Sequence, residues 1–312
     1  MILVAVPAVA LAVVSLAAFF GGTVWWLDVL ANFRAQYVVA LAVLGLVVMM
    51  SKWRKTAYFI LAVAVVNLVA VLPLYIGSPA EARAGADSIR IMSFNLLSTN
   101  EEYSEVIDYI ETVDPDVVFL HEASRPWEVA MESSGLDYEI VRPRSDDLIF
   151  GTLVLVRGDQ LTAVSHGFAE AAPRAVSLEF LPWGWDVPLA VLATHPLAPS
   201  GEERADLRDA QLAFAGDWAM ERSGAFLVVG DFNATPWSAP FRNLVATADL
   251  ENSQRGFGLQ PSFPTTSSLL LRVPIDHLVH SAALEVTDRQ LGPALGSDHF
   301  PLVVDLQVVE TG

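Results

Sequence analysis

Three long stretches without a charged residue open the chain, at positions 2–27, 35–51 and 56–80. Each approaches the ~20 apolar residues that carry a helix across a bilayer, so they predict three transmembrane helices at about 2–22, 35–51 and 57–76. Asn67 falls inside the third and is expected to face neighbouring helices, because an amide in lipid needs a partner. Trp25, Trp26, Trp53, Tyr58 and Tyr75 lie near the segment ends, where amphipathic rings favour the headgroup layer. Positions 1–6 hold no basic residue, which argues against a cleaved signal peptide. The short loop Lys52-Trp53-Arg54-Lys55 carries three cations against Arg34 alone in the loop before it. The positive-inside rule then keeps Lys52–Lys55 in the cytoplasm and sends everything after about residue 77 to the extracytoplasmic side of a cell membrane.

Charge divides the chain at the same place. The whole sequence of 312 residues has a net charge of −18, yet residues 1–76 hold four cations and one acid. Residues 77–312 hold 14 arginines, no lysine and 35 acidic residues, a net of −21. Positions 78–88, with Pro79, Gly85 and several alanines, read as a linker, and 89–312 as a soluble domain large enough for one core. Cysteine is absent, which excludes disulfides without fixing the compartment.

Within 89–312, short apolar runs recur at 89–95, 117–122, 152–157, 189–195, 226–233, 275–281 and 301–309 and predict buried strands. Val106, Ile107, Ile110 and Val113 share one helical face, as do Leu207, Ala210, Phe214 and Trp218, and both stripes predict core packing. Strands interleaved with helices indicate an α/β or α+β domain with sheets at its centre. The run after run that ends on a polar group is more telling: Asn95, Glu122, His195, Asp231 with Asn233, and Ser297-Asp298-His299. Singly, each suits a turn, a cap or a satisfied core histidine. Jointly they predict one site, because neighbouring strand ends share a rim.

The succession Ser93-Phe94-Asn95, Phe119-Leu120-His121-Glu122, Ala193-Thr194-His195-Pro196, Gly230-Asp231-Phe232-Asn233, Ile275-Asp276-His277 and Gly296-Ser297-Asp298-His299 resembles the endonuclease/exonuclease/phosphatase superfamily in order and rough spacing. Gly-Asp-Phe-Asn and Ser-Asp-His are its most specific pieces. The resemblance spans about 89–306 and implies a four-layered α/β/β/α sandwich with its active site at one rim. By resemblance Asp231 and Asn233 position the attacking water and the phosphate, His195 donates to a phosphoryl oxygen, and Asp298 assists a metal or its waters. His121 stands where many relatives have glutamine and Phe94 where others have tryptophan, and neither change touches a candidate ligand.

Chemistry assigns roles independently. Hydrolysis of a phosphoester needs the phosphoryl charge neutralised, a water in line and that water's proton removed. Glu122 and Asn95 offer hard oxygens suited to Mg²⁺ or Mn²⁺. His299 is the candidate general base, and its orienting carboxylate should come from another strand, with Asp276 the obvious supplier. Asp146 or Asp147 is a candidate partner for His195, whereas His121 and His277 take structural roles. Arg204 and Arg208, with Gln211 a turn on, are candidate phosphate contacts, with surface salt bridging as the competing reading. Phe180, Leu181, Trp183 and Trp185 around Pro182 suit the core better than the membrane interface.

A net charge of −21 disfavours long nucleic acid, which is normally held by basic residues. Tethering to a lipid bilayer raises the effective concentration of membrane substrates. The sequence therefore points to a lipid-linked or small phosphoester as substrate. An extracytoplasmic nuclease on DNA or RNA and a catalytically silent membrane scaffold are the alternatives.

Overall fold

Side chains on the central strands alternate between two apolar layers, and this alternation stacks the catalytic part of the chain into four layers. The structure is a computed structural model that describes residues 2–142, 151–168 and 173–309. One sheet contains β1 (Ser88–Asn95), β2 (Val117–His121), β3 (Glu139–Val141), β4 (Leu153–Val156), β11 (Leu284–Leu291) and β12 (Leu302–Val308), in the order β11-β12-β1-β2-β4-β3. The other contains β5 (Asp159–His166), β6 (Ala175–Leu181), β7 (Leu189–Ala193), β8 (Phe226–Asp231), β9 (Glu251–Asn252) and β10 (Asp276–His280), in the order β5-β6-β7-β8-β10-β9. All seven apolar runs of the sequence form strands.

Odd-numbered residues of β1 and β2, such as Ile89, Ile91, Val117 and Phe119, face Val191, Leu227, Val229 and Leu278 of the second sheet in one inter-sheet core. The even-numbered Met92, Phe94, Val118 and Leu120 pack outward on α5 (Tyr103–Val113) and α6 (Arg125–Ser133). On the other flank Leu192, Val228 and Val279 meet α7 (Glu202–Met220) and α8 (Ala239–Thr247). The α/β/β/α sandwich expected from the motifs is the observed fold.

α7 uses the predicted stripe only in part: Trp218 is buried and Phe214 packs on the core from a half-buried position. Its buried face runs through Ala205, Arg208, Gln211, Leu212, Ala215, Trp218 and Ala219, while Ala210 is exposed and Leu207 and Phe214 are half-buried. The helix turns a polar pair inward because both find partners there: Gln211 donates to Thr194 Oγ1 (3.0 Å), and Arg208 meets a buried acid. Among the aromatics around Pro182, Phe180 and Trp185 are core residues and Trp183 is exposed.

The N-terminal part is α1 (Ile2–Ala17), α2 (Trp25–Ala31), α3 (Arg34–Met49) and α4 (Arg54–Val71). Two segments, Ile2–Phe20 and Arg54–Tyr75, are long and apolar enough to cross a membrane, and α2 with α3 makes a third if a pair bent by 66° is one span. Small residues line the contacts, Ala5, Ala8 and Ala12 on α1, Gly45 on α3, and Ala57 and Ala64 on α4, so the helices approach closely. The bundle is apolar outside as well: Val6, Val13, Val39, Val43, Leu46, Val65 and Val69 are exposed. Its polar groups are inside. Asn67 donates to Ser15 Oγ (3.1 Å) and the Val63 carbonyl (2.9 Å), and Arg34 donates to Asn67 Oδ1 (2.9 Å) and the Ser15 carbonyl (2.8 Å). Asn67 thus faces its neighbours as expected. Arg34 is sunk in the bundle instead of lying in an open loop.

The helices and the sandwich are joined by specific polar contacts. Asp28 on α2 pairs with Arg208 (2.9 Å) and accepts from the Ala239 amide (2.7 Å), so one carboxylate serves a buried guanidinium and the N-terminus of α8 together. Asn32 Oδ1 accepts from the Thr235 and Ser238 hydroxyls (3.0 Å each), and Trp237 Nε1 donates to the Ala70 carbonyl (3.0 Å).

Gly230 sits where β7 and β8 approach most tightly. Its φ is +140°, and an added Cβ would lie 2.0 Å from the Thr194 carbonyl oxygen. Gly230→Ala is expected to cost ~2–4 kcal/mol, read as a lowered denaturation midpoint in detergent. Gly135→Ala, at φ +78° with nothing within 4 Å of the new Cβ, is the control and should cost only about 1 kcal/mol.

Candidate active site

The inter-sheet core runs out at one rim, and there its positions become polar. Asn95 continues the inward series Ile89, Ile91 and Ser93; Asp231 continues Leu227 and Val229; His195 continues Val191 and Ala193; and Asp276 precedes Leu278. Topology brings these ends together. β1 runs parallel to β2 and β7 parallel to β8, so four strands finish at the same rim. β10 lies antiparallel to β8 with Asp276 opposite Asp231, and β12 starts beside Ser93, which delivers Asp276 and the Ser297–His299 turn to the same place.

Asp231 is the meeting point. It is 1 % exposed, and its Oδ2 accepts from Asn95 Nδ2 at 3.1 Å, with His195 Nε2 at 3.5 Å and His299 Nε2 at 3.6 Å. The same Asn95 amide donates to Glu122 Oε1 (3.1 Å), which lies 3.7 Å from His195 Nε2. His299 Nδ1 is hydrogen-bonded to Asp276 Oδ2 at 2.8 Å. Asn233 donates from its backbone to Asp231 Oδ1 (2.9 Å) and from its side chain to the Pro196 carbonyl (3.0 Å). Glu122 (φ 56°) and Asn233 (φ 48°) are both left-handed residues, one and two positions past the ends of β2 and β8, a mildly strained conformation that recurs at functional sites.

Electrostatics follow from this crowding. Burial and the neighbouring Asp276 hold the Asp231 carboxyl above its ordinary range, against the pull of both histidines. Burial works the same way on Asp276, but the His299 charge and the hydrogen bonds from His299 and Ser262 outweigh it and hold Asp276 low. For His299, burial opposes the charged form, yet Asp276, Asp231 and Asp298 together raise it to about 10. His121 and His277 are different. Burial pushes each down to about 3, and they bond to Ser93 and Thr152, and to the Ala234 carbonyl, as neutral structural rings.

A cleft of about 180 Å³ opens on this group, lined by Asn95, Glu122, His195, Arg204, Asp231, Asn233, Asp298 and His299 together with Leu197, Ala198 and Phe263. Nine of the ten residues singled out from the sequence thus line the cleft or, like Asp276, touch one that does. Arg208 is the exception. It is fully buried beneath the site, paired with Asp28 and Asp209 (2.8 Å), with NH1 on the Asn233 carbonyl (3.3 Å), so it cannot meet a substrate. The charge-poor N-terminal segment supplies its counter-ion, which no local pattern in α7 could announce. Asp146 and Asp147, considered for His195, lie outside the described residues. Phe263 was missed, and Ser297 was singled out with its triplet but given no role. Phe263 stacks on His299 (4.8 Å between ring centres), and Ser297 donates to the Asn95 carbonyl (2.6 Å) while accepting from the His299 amide (3.0 Å). Ser297 was visible within its triplet, but nothing around Phe263 marks it.

The donor set suits a divalent cation. Two carboxylates converge, both hard oxygen donors, and the gap between Glu122 Oε1 and Asp231 Oδ2 is bridged by the N–H groups of Asn95, whose own Oδ1 accepts from the Leu97 amide (3.0 Å). A second acidic group, Asp231, Asp276 and His299, has one ligating atom from each within 4.8 Å of the others. There the histidine nitrogen facing Asp276 is already committed to a hydrogen bond.

A family model for the Endonuclease/Exonuclease/phosphatase family matches residues 92–299, from the middle of β1 to His299. The chain belongs to that family. Family members are phosphoester hydrolases that depend on a divalent metal. The sandwich is similar to truncated TDP2 from Caenorhabditis elegans (18% identity, TM-score 0.57, 71% of this chain and 98% of that one). It is also similar to D. rerio TDP2 complexed with single strand DNA product (14%, 0.58, 71% and 99%) and to an endonuclease/exonuclease/phosphatase from Bacteroides vulgatus (17%, 0.58, 71% and 99%). At such identities the likeness is one of fold. No curated protein matches the chain at a significant level.

The two arginines of α7 should separate cleanly. Arg208→Ala strands Asp28 without its partner and is expected to destabilise the protein by ~3–5 kcal/mol, measured as a fall in thermal midpoint. Arg204→Ala, in the exposed cleft wall, should leave that midpoint unchanged.

Proposed function

We propose that this chain is a membrane-tethered, divalent-metal-dependent phosphoester hydrolase that acts on a lipid-linked or small phosphate at the outer bilayer surface. The observation that carries the reading is the convergence on Asp231: the Glu122 carboxylate, joined to it through the Asn95 amide, on one side and the His299–Asp276 pair on the other. Glu122, Asn95 and Asp231, assisted by Asp298, would hold Mg²⁺ or Mn²⁺, which when bound supplies positive charge to the phosphoryl oxygens. His195 faces the same carboxylates from β7 and donates toward a phosphoryl oxygen. Arg204 stands in the wall to contact phosphate. Asn233 and Asp231 orient the attacking water, and its proton passes to the Asp231 carboxylate, whose proton affinity burial raises, beside the His299 ring that the 2.8 Å bond to Asp276 fixes.

The helices support the membrane half of the proposal. They attach beside the active rim, through Asn32 to Thr235 and Ser238 just past β8, so the cleft stays near the end of the bundle opposite the cationic Lys52–Lys55 loop. That end lies outside if the cationic loop lies inside. A nuclease is the second reading, favoured by the DNA product named with the D. rerio structure. The net charge of −21 over residues 77–312 weighs against it.

Full-length protein with Mg²⁺ or Mn²⁺, and chelator as control, should release phosphate or headgroup from polyprenyl pyrophosphate or phospholipid without cutting DNA. Metal-dependent cleavage of DNA with no lipid turnover supports the second reading, and inactivity over a broad phosphoester panel defeats both. His299→Ala and Asp231→Ala are each expected to lower turnover at least ~100-fold while the protein stays folded. Glu122→Gln should shift the metal titration to higher concentration.

A further inference from the structure

Leu269, Leu270 and Leu271 stand in a row with 66%, 66% and 62% of their surfaces exposed. Three consecutive exposed leucines are unfavourable in water and, on an otherwise strongly acidic domain, call for something that covers them. They form one helical turn at the tip of a loop closed at its base by the Phe263–Val273 backbone pair. The loop is braced from within. Arg272 donates to the Ser267 and Thr265 carbonyls (3.0 Å each) and lies over the Phe300 ring, so the leucines are held outward by a built structure.

Both roots of this loop are informative. One is in the catalytic cleft: Phe263 stacks on His299, the Thr265 amide donates to the Asp298 carbonyl (2.8 Å) and its hydroxyl to the Ser297 carbonyl (2.7 Å). The other is on the membrane part, where Gln36 of α3 donates to the Arg272 carbonyl at 2.9 Å. One turn past Gln36, α3 begins its exposed apolar face at Val39, continued by Val43 and Leu46. The leucine tip therefore stands beside a helix that already presents valine and leucine outward. From 263 to 273 the loop contains no acidic residue and one cation, Arg272, so nothing in it repels an anionic leaflet.

We propose that the 263–273 loop is a bilayer wedge: Leu269–Leu271 enter the acyl layer beside α3 and hold the mouth of the catalytic cleft against the lipid surface. The substrate is then taken from the leaflet itself, as a phosphoester whose apolar tail stays in the membrane while its phosphate reaches His299 and Asp231. This rests on the anchored reading of the N-terminal helices and adds to it a depth and a direction of entry.

The absence of cysteine makes the test direct. Full-length Leu270→Cys, labelled with nitrobenzoxadiazole and reconstituted in phosphatidylcholine–phosphatidylglycerol nanodiscs, should emit at shorter wavelength than in detergent-free buffer standards. Nitroxide-bearing lipids should quench it strongly. The same label at Trp183→Cys, exposed on the loop between β6 and β7 at the far end of those strands, should stay unquenched. Adding Leu269→Ser and Leu271→Ser should weaken insertion of the Leu270 probe by about tenfold or more. Protein that enters the discs with both probes equally unquenched overturns the wedge alone, as does quenching indifferent to the serines. Protein that fails to join the discs overturns the anchor and the wedge together.

Discussion

Two sheets share a single apolar layer, and that layer has to stop somewhere. Where it stops, the inward positions of β1, β2, β7, β8 and β10 carry Asn95, His121, His195, Asp231 and Asp276 in place of valine, leucine and phenylalanine. A buried carboxylate at such a boundary is tolerable only if several donors attend it. Asp231 has donors from both sheets, Asn95 from one and Asn233 from the other, with two imidazoles beside it. The same requirement that keeps the acid from destabilising the core assembles the reactive group.

The parts of this arrangement that were legible in the sequence are those in which local pattern and tertiary environment agree. β1, β2, β4, β7, β8, β10 and β12 are central or nearly so and covered on both faces, so they read as unbroken apolar runs. The sheet margins do not. β11 mixes Glu285, Thr287, Asp288 and Arg289 among its apolar residues, β3 and β9 are short, and β5 places Thr162 and Ser165 toward its neighbour. None of these offers a run long enough to recognise. The catalytic residues were found because they end the clear strands, and Phe263 was missed because it reaches His299 from an irregular loop.

α7 shows the limit from the other side. Its apolar stripe through Leu207, Ala210, Phe214 and Trp218 was the natural choice for a buried face, and Arg208 with Gln211 for a phosphate contact or a surface salt bridge. The structure keeps Trp218 inside but turns Arg208 inward too, because the counter-charge, Asp28, arrives from 180 residues away. Long-range electrostatic complementarity of this kind leaves no periodic trace. It also gives meaning to Asp28, the one acid in the first 76 residues.

That pairing alters what the N-terminal helices are. Composition draws a clean frontier near residue 77, with apolar helices before it and an enzyme behind it. Energetically no such frontier exists, since the N-terminal helices lend the sandwich one of the two carboxylates that pair with its deepest arginine and the acceptor that seats α8. A truncated catalytic half would inherit a buried guanidinium with Asp209 as its remaining carboxylate, directly under the Asn233 turn. The protein is better viewed as one indivisible machine whose N-terminal helices are part of its catalytic foundation.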